Sequence, residues 1–205
     1  MTETEKMLAG KIYDPSDKSL TARRARAHSL SRQYNETDET EEAKRKLILD
    51  ELLPNRGEGA YLQGPLNFDY GLYFKTGRNF YANFNLTVLD CCPVTVGDNV
   101  FMGPNVSLMT PVHPFRWQDR NPKVKADGTV YDDEYAKPIV IGDNCWLASN
   151  VTVCGGVKIG EGCVIGAGSV VTRDIPENSL AAGNPCRVIR KITDADAIAL
   201  KSELF

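Results

Sequence analysis

The sequence predicts a mainly β protein: a parallel β-helix with a small helical subdomain before it, a protruding loop within it and a helix after it. Two observations predict this fold. Aliphatic residues recur every six positions through the middle of the 205-residue chain, and Gly, Asn and Asp separate them. An amphipathic strand alternates with period two and a helix with period 3.6, so a period of six is instead typical of stacked coils.

Residues 1–58 are predicted to form the helical subdomain. One face of the first predicted helix consists of Leu20, Ala27, Leu30 and Tyr34. Asp17 or Ser19 is its predicted N-cap. The apolar face of the second predicted helix consists of Ala43, Leu47, Ile48, Leu52 and Leu53, and Pro54 and Gly57 stop it. The Lys and Arg side chains of this region are expected on solvated helix faces.

Residues 59–185 are predicted to form the β-helix. The later block of six-residue repeats has aliphatic residues at Ile141, Leu147, Val153, Ile159, Ile165 and Val171. The earlier block has Val96, Met102 and Leu108, and it extends backwards through Phe68, Phe74 and Phe80. Each repeat supplies a short strand and a corner, and three repeats close a triangular coil that needs neighbouring coils to bury its inward face. Cys145 and Cys163, one coil apart, are expected to stack in the core.

The two blocks of repeats are out of phase, because positions 108 and 141 are not a multiple of six apart. A solenoid accommodates such an insertion as a loop that projects from one corner. A loop is therefore predicted at about 109–138, and loops held on a rigid scaffold are where functional residues concentrate. His113, at the start of this loop, is a candidate functional residue.

The chain has two histidines, and the other one, His28, lies in the helical stretch ARRARAHSL, where a surface or packing role is expected. A β-helix metalloenzyme would need three histidine ligands, and the six cysteines form no Cys-X-X-Cys pair. No metal site is therefore predicted.

Residues 186–205 follow the last coil, which Pro185 prevents from continuing. Val188, Ile189 and Ile192 predict a short return strand. The chain after Thr193, a favourable N-cap, is predicted to form a final helix that covers the open end of the solenoid.

The composition excludes several classes of protein. A net charge of −3 and a pI of about 5.5, with no obvious basic face, argue against a nucleic-acid partner. No stretch approaches the ~18 apolar residues of a membrane span, and the N-terminus lacks the basic start and apolar run of a secretory signal. A cytoplasmic protein with free thiols and no membrane association is expected.

Six segments carry a resemblance to a known family: MLAGKIYDPSDKSL, NFYANFNLTVLD, GDNVFMGPNV with the later HP, IGDNCWLASNVTV, VIGAGSVVTRDIP and AAGNPCRVIRKI. In order and spacing they resemble the maltose and galactoside O-acetyltransferases, and the resemblance covers essentially the whole chain. It implies a left-handed parallel β-helix, an exception to the right-handed crossover rule. It also implies an acetyl-CoA-dependent enzyme that requires no metal, takes a sugar acceptor, and forms a homotrimer with active sites between neighbouring subunits.

The resemblance implies that His113, which is followed by proline as in the family, is the catalytic histidine. A sugar hydroxyl is a poor nucleophile at neutral pH, and histidine is suited to take its proton there. For the acceptor, the resemblance implies Asn83, Asp69 and Asp90, with a weaker case for Asn85. An asparagine ladder or a corner turn is the alternative explanation for the asparagines, and a corner turn is the alternative for Asp90.

For acetyl-CoA, the resemblance implies Ser149, Ala167, Thr172, Arg173, Arg187 and Arg190. A backbone N–H near Ser149 is suited to stabilise an oxyanion on the thioester carbonyl. The arginines are suited to the phosphates of coenzyme A. Trp146 is expected either to wall the pantetheine channel or to pack at a subunit interface.

Two departures from the galactoside type bear on the acceptor. Cys91 stands where those enzymes have a second acidic residue, and Asp69 stands where they have a serine. Both choices resemble the maltose type, so a glucose-based sugar is expected. Asp14 and Asp17 both fit the N-terminal acceptor motif, and the sequence does not decide between them.

Other functions are compatible with the pattern. Within the transferases, the acceptor could be a galactoside or a Nod-factor-like oligosaccharide. Serine acetyltransferases have a much longer helical N-terminal domain, and antibiotic acetyltransferases of this fold tend to lack the N-terminal motif. A non-catalytic β-helix subunit is the alternative outside enzymes, since a fold alone does not fix a function.

Overall fold

The computed structural model describes residues 1–201 and residue 204. The helices are α1 (Glu3–Leu8), α2 (Lys18–Asn35), α3 (Glu42–Leu52) and α4 (Trp117–Arg120). The strands are β1 (Tyr61–Leu62), β2 (Leu66–Phe68), β3 (Phe74–Thr76), β4 (Tyr81–Ala82), β5 (Leu86–Leu89), β6 (Val94–Val96), β7 (Phe101–Met102), β8 (Ser107–Met109), β9 (Pro111–Val112), β10 (Lys123–Val124), β11 (Val130–Tyr131), β12 (Tyr135–Ala136), β13 (Ile139–Ile141), β14 (Trp146–Leu147), β15 (Thr152–Cys154), β16 (Lys158–Ile159), β17 (Val164–Ile165), β18 (Val170–Val171), β19 (Ser179–Ala182) and β20 (Arg187–Lys191).

Three parallel sheets form the faces of the β-helix. The first sheet has the order β1-β4-β7-β14-β17-β19, the second has β2-β5-β8-β15-β18, and the third has β3-β6-β13-β16. Along the chain, successive strands enter the first, second and third sheets in turn, so each coil contributes one strand to each face. The solenoid has about six turns, which confirms the β-helix predicted from the six-residue period.

The coils before the loop are longer than three six-residue repeats. Asn79 and Asn99, at equivalent corners of successive coils, are 20 residues apart. The extra residues lie where the chain passes from the second sheet to the third, between Phe68 and Phe74 and again between Leu89 and Val94. We call this edge of the prism the wide corner. The long loop leaves the solenoid there as well, between β8 and β13.

The inward positions of the predicted repeats are buried. Ile141, Leu147, Val153, Ile159, Ile165 and Val171 are at most 1% exposed. At the other end of the prism, the ring centroid of Phe74 is 5.2 Å from that of Phe68 and 5.7 Å from that of Phe80. Cys145 and Cys163 are buried in the same core, as predicted.

The edge between the first and second sheets, here called the asparagine corner, is built on left-handed backbone. Asn85, Asn105 and Asn150 have φ of 61°, 61° and 60°. Asparagine tolerates this conformation because its short polar side chain bonds locally. The amide of Asn85 donates to Asn105 Oδ1 at 2.9 Å, and that of Asn105 donates to Asn150 Oδ1 at 3.0 Å. Asn85 is therefore part of an asparagine ladder, the alternative that the sequence had left open.

The N-terminal helices pack against the first coils. Helix α2 begins after Asp17, whose carboxylate accepts the N–H of Ser19 at 2.9 Å and that of Leu20 at 3.3 Å. The predicted inward positions of Ala43 and Leu47 on α3 are wrong, because both side chains are exposed and Leu49 is buried instead. Helix α1 was not predicted. Within the described ranges, no helix has the length and apolar character needed to cross a bilayer.

The C-terminal region differs from its prediction in one element. Strand β20 returns antiparallel to β19, where a short return strand was predicted. In place of one α-helix after Thr193, the chain forms two 3-10 turns, Asp194–Asp196 and Ile198–Leu200. Neither turn contains a buried residue, so no packed face holds a longer helix there. Residues 202, 203 and 205 of the predicted helix lie outside the described residues.

Candidate functional site

The protruding loop folds back onto the N-terminal segment. Strands β9 and β12 pair antiparallel and close the base of the loop. Next to them, the backbone N–H of Tyr13 donates to Glu134 O at 2.9 Å, and the N–H of Glu134 donates to Tyr13 O at 3.2 Å. Further out, Lys125 forms an ion pair with Asp14. The start of the loop, its end and the N-terminal segment are thereby brought together at the wide corner.

His113 lies in this assembly with a carboxylate near each ring nitrogen. Its Nδ1 is 3.6 Å from Asp132 Oδ2, and its Nε2 is 3.8 Å from Glu134 Oε2. These distances exceed hydrogen-bond length, so the contacts are electrostatic. The His113 side chain is 49% exposed, whereas that of Glu134 is only 13% exposed. A small molecule can therefore reach the imidazole, which stands between two carboxylates.

His113, Asp132, Glu134 and Tyr13 are here called the His113 cluster, and Tyr13 and Glu134 form its buried base. The Tyr13 hydroxyl donates to Glu134 Oε1 in a very short contact, and Tyr13 is 2% exposed. Burial raises the pKa of Glu134, and burial also raises the pKa of Tyr13, with the charge of the neighbouring groups acting in the same direction. No sequence pattern singles out this pair, because 121 positions separate its members.

Asp69 lies on the same corner, between two further side chains. Its Oδ2 is 3.6 Å from Cys91 Sγ, and its Oδ1 is 3.3 Å from His28 Nε2. The Asp69 side chain is only 18% exposed, but its charge still acts on Glu134 and helps to raise the pKa of that group. Burial raises the pKa of the Cys91 thiol, which is therefore a neutral neighbour. His28 is thus paired with Asp69 at the surface.

Asp90 was expected to contact the acceptor, but it lies in the interior of the protein. It is 0% exposed. Its Oδ1 accepts the backbone N–H of Tyr70 at 2.8 Å, and its Oδ2 accepts that of Tyr73 at 3.1 Å. Both oxygens are thus engaged in holding the wide corner of the preceding coil. The corner-turn explanation fits this geometry, and direct contact with a substrate does not.

Replacement of Asp90 by asparagine is expected to lower the free energy of unfolding by about 2–4 kcal/mol. The amide nitrogen would face a backbone N–H, and a buried hydrogen bond to a charged group contributes about 1.5–3 kcal/mol. Urea unfolding at a fixed protein concentration measures this. The control is Asp143→Asn, at an exposed corner, with an expected loss below about 1 kcal/mol. Equal losses in the two variants would contradict the role given to Asp90.

Asn83 lies at the asparagine corner, away from His113. Its Oδ1 accepts the N–H of Phe84 at 2.7 Å, and the residue is half-buried. It lines a groove of about 390 Å³ with Tyr81, Phe101, Met102, Gly103 and Trp146. Trp146 is 52% exposed there. The four residues of β5, Leu86–Leu89, span about 13 Å and separate this corner from the wide corner.

The positions implied for coenzyme A fall into three groups. Ser149 and Ala167 stand at the asparagine corner in successive coils, where Ser149 O accepts the N–H of Gly168 at 2.9 Å. Within residues 1–201 and 204, no acceptor lies in hydrogen-bond reach of the Ser149 N–H. The exposed residues Thr172 and Arg173 follow β18. Arg187 and Arg190 lie on the exposed strand β20.

The groove and the exposed cations fit a long, anionic thioester. The groove at Trp146 has apolar walls suited to a thin acyl-pantetheine arm, and the Ser149 N–H is a donor at the same corner. Arg190 is already engaged with Asp196, with nitrogen–oxygen distances of 2.8 and 2.6 Å. In the described part of the chain, no cluster of three or more His, Cys, Asp or Glu side chains could hold a metal ion.

The two aspartates of the N-terminal motif have different surroundings. Asp17 caps α2 and is committed to that helix. Asp14 accepts the Ser16 N–H at 2.9 Å and forms the ion pair with Lys125 of the loop. Asp14 is therefore the one that touches the protruding loop.

Comparison with known proteins links this geometry to a family. Residues 6–57 match the maltose acetyltransferase hexapeptide capping motif, and residues 138–173 match the bacterial transferase hexapeptide in six repeats. The chain is 43% identical over 196 residues to the galactoside O-acetyltransferase of Escherichia coli K12, covering 96% of this chain and 92% of the relative.

Solved structures agree with these matches. The maltose O-acetyltransferase of Clostridium difficile 630 superposes with a TM-score of 0.86 at 43% identity, covering 95% of this chain and 99% of that one. A galactoside acetyltransferase in complex with coenzyme A gives a TM-score of 0.86 at 42% identity, covering 96% and 94%. A hexapeptide-repeat acetyltransferase of Vibrio cholerae O1 biovar eltor, complexed with acetyl coenzyme A, gives 0.81 at 32% identity, covering 95% and 100%.

Proposed function

The chain belongs to the maltose and galactoside O-acetyltransferase family, and from that premise we propose that it acetylates a hydroxyl of maltose or another glucose-based sugar. It is an acetyl-CoA-dependent O-acetyltransferase of the galactoside and maltose type. In the reaction, the sugar oxygen forms an ester bond to the acetyl carbon and the thioester C–S bond breaks. The hydroxyl proton ends on the coenzyme A thiol. The observation that carries the proposal is the accessible His113 between two carboxylates.

His113 is the general base in this proposal. Its imidazole takes the proton of the sugar hydroxyl as the hydroxyl attacks, and then returns that proton to the departing sulfur. Asp132 and Glu134 stabilise the imidazolium that exists between these two events, since each lies within 4 Å of a ring nitrogen. Tyr13 fixes the Glu134 carboxylate by donating to its other oxygen. No covalent enzyme intermediate is needed, because the thioester is already activated.

Asp69 is proposed to hold the acceptor. Its largely buried carboxylate stands beside the His113 cluster and can accept hydrogen bonds from sugar hydroxyls. Asp90 acts through the backbone of the wide corner and is a positioning residue. The combination of Asp69 with a neutral Cys91 supports the maltose type. The E. coli relative supports a galactoside as the second candidate acceptor.

The site is proposed to lie between two subunits of a homotrimer. Asn83 and His113 stand at different corners of one prism, so one subunit alone does not bring them together. Aromatic side chains also run up the first sheet, and those of Tyr61 and Phe101 are exposed. The Tyr61 ring stacks on the Tyr81 ring with centroids 6.0 Å apart, and the Phe101 ring is tilted against the Tyr81 ring at 6.1 Å. An exposed apolar strip of this kind favours burial against another chain. A neighbouring wide corner would place its His113 beside Asn83.

Coenzyme A is proposed to lie along the asparagine corner of one subunit. In this proposal the Ser149 N–H and the backbone at Ala167 bond the acyl and pantetheine portions, since a preorganised N–H donor stabilises developing oxyanion charge. Thr172, Arg173 and Arg187 are exposed towards the C-terminal end, where cations would meet the phosphates. Arg190 can join them only in exchange for its ion pair with Asp196.

The proposal is tested by measuring thiol release from acetyl-CoA with purified protein. The acceptor panel contains glucose, maltose, galactose, a thiogalactoside, serine and chloramphenicol. Release that depends on a glucose-based sugar supports the proposal, and a preference for galactosides selects the second candidate. If none of the sugars in the panel causes thiol release, the sugar O-acetyltransferase assignment is wrong. A different acceptor or a non-catalytic β-helix is then favoured.

Replacement of Glu134 by glutamine is expected to lower kcat by about 10- to 100-fold, less than loss of the base itself. The neutral amide no longer stabilises the imidazolium, so the acid limb of the kcat/KM profile is expected to shift to lower pH. Because burial raises the folded-state pKa of Glu134, its stability contribution is present at low pH and lost as pH rises through that value. At neutral pH, the glutamine variant is therefore expected to be at least as stable as the wild type.

The acid limb of the kcat/KM profile and the stability of the variant together distinguish a positioning role of Glu134 from a structural one. Glu134→Asp, which restores the charge on a shorter side chain, is expected to recover part of kcat and the original acid limb. A glutamine variant with lower kcat, reduced stability and an unchanged acid limb would instead indicate a damaged loop. Thermal unfolding and pH–rate profiles on the same preparations make the distinction.

A further inference from the structure

A second pocket is lined by Asp69, the carboxylate that stands beside the His113 cluster. It has a volume of about 290 Å³ and is formed where α2 passes over the edge of β2 and the wide corner. Its polar lining consists of His28, Ser31, Arg32, Asn67 and Asp69, with Leu89 beside them. None of these residues except Asp69 has a part in the proposed chemistry. The volume accommodates about one hexose ring, below the usual ~300–1,000 Å³ of a whole ligand site.

The polar groups of this pocket have unused hydrogen-bonding capacity. Ser31 is 3% exposed, and its hydroxyl has no hydrogen-bond partner among the described residues. Buried polar atoms are nearly always paired, so this orphan requires an explanation. The exposed guanidinium of Arg32 and the exposed amide of Asn67 likewise contact no protein acceptor or donor within residues 1–201 and 204. The guanidinium of Arg32, the amide of Asn67 and the hydroxyl of Ser31 thus surround one small cavity.

Asp69 connects the pocket to the His113 cluster. One of its oxygens accepts from His28 at 3.3 Å on the pocket side, and the other faces Cys91 at 3.6 Å on the cluster side. The charge of Asp69 also acts on Glu134, which stands 3.8 Å from His113. A molecule held by Asp69 would therefore extend from the catalytic cluster into the pocket.

The lining favours a neutral ligand with several hydroxyl groups. Each sugar hydroxyl both donates and accepts, which matches an amide, a guanidinium, an imidazole and a carboxylate placed around one cavity. The lining carries one carboxylate, that of Asp69, and one guanidinium, that of Arg32, so these two charges offset each other and favour neither an anion nor a cation. We propose that this pocket is a subsite for the second sugar ring of the acceptor, so that the enzyme favours a disaccharide over a monosaccharide. This inference rests on the proposed sugar acetylation.

The test compares glucose with maltose, and galactose with lactose, for the wild type and the double variant Arg32→Ala/Asn67→Ala. Within the pair of sugars that the enzyme uses, kcat/KM for the disaccharide is expected to fall about tenfold or more, because hydrogen bonds to the second ring are lost. The values for the monosaccharide are expected to change less than about twofold. Gln33→Ala and Lys75→Ala, exposed residues of α2 and β3 outside the pocket, are the matched controls. An equal effect on both sugars, or no effect on either, would overturn the subsite.

A binding measurement separates this proposal from the proposed function. If the wild type acetylates none of the sugars, the function has failed, and saturation-transfer NMR with maltose and lactose then tests the pocket alone. The subsite is supported if the wild-type protein transfers saturation to protons of both sugar rings, whereas the double variant transfers it to protons of one ring only. It is overturned if the same protons are saturated in both proteins, or if the wild type saturates neither disaccharide.

Discussion

Replacement of His113 by alanine is expected to lower sugar-dependent release of coenzyme A by at least ~100-fold, since a positioned general base typically contributes 10²–10⁴-fold. The side chain is half exposed and makes no contact shorter than 3.6 Å with its two carboxylates. Its removal therefore takes away the proton acceptor and leaves the fold nearly unchanged. The KM for acetyl-CoA is expected to change little, because the residues proposed to bind coenzyme A lie elsewhere.

The matched control is Phe115→Ala in the same loop. Phe115 is 90% exposed and lies two positions after the histidine, so its removal tests whether any change in the loop lowers the rate. This variant is expected to retain most of the wild-type rate. Full activity in His113→Ala, with circular dichroism and unfolding like the wild type, would exclude His113 as the base.

Much of the fold is predictable from the sequence because each predicted element depends on local chemistry. An inward aliphatic residue every six positions, such as Ile159 and Ile165, can be buried only when coils stack, and both are fully buried. Asp17 caps α2 through bonds to residues two and three positions away. The out-of-phase repeats indicate the loop for the same reason, since an insertion that shifts the register must leave the solenoid.

The site is less predictable because it depends on contacts that are distant in sequence. Glu134 meets Tyr13 only because the loop folds back on the N-terminal segment, and neither has a neighbour in sequence that indicates the contact. Asp90 fits the acceptor motif as a sequence position, yet its carboxylate turns inward to the backbone of the preceding coil. The error at Leu47 is of the same kind, since helical spacing does not identify which side of α3 faces the solenoid.

The separation of Asn83 from His113 leads to the second large expected effect. If the acetyl group is transferred between a groove on one subunit and a histidine on its neighbour, each site draws its residues from two chains. His113→Ala and Asn83→Ala are each expected to lose at least about tenfold in kcat as homotrimers. A mixed trimer, however, contains one interface at which an intact Asn83 of one chain meets an intact His113 of the next.

Co-expression of the two variants with different affinity tags, followed by tandem purification, isolates such mixed trimers. Each tandem-purified trimer holds the two variants in a ratio of two to one, so about one interface in three unites the two intact residues, and the activity is expected to return to about a third of the wild-type value. Co-assembly of His113→Ala with the double variant His113→Ala/Asn83→Ala supplies no His113 and is expected to stay inactive. Mixed trimers that form but regain no activity would place both residues in the site of a single subunit. Because one chain holds them at corners about 13 Å apart, that outcome would also require the loop to cross the second sheet. The complementation measurement therefore tests both the assembly and the residues that share the site.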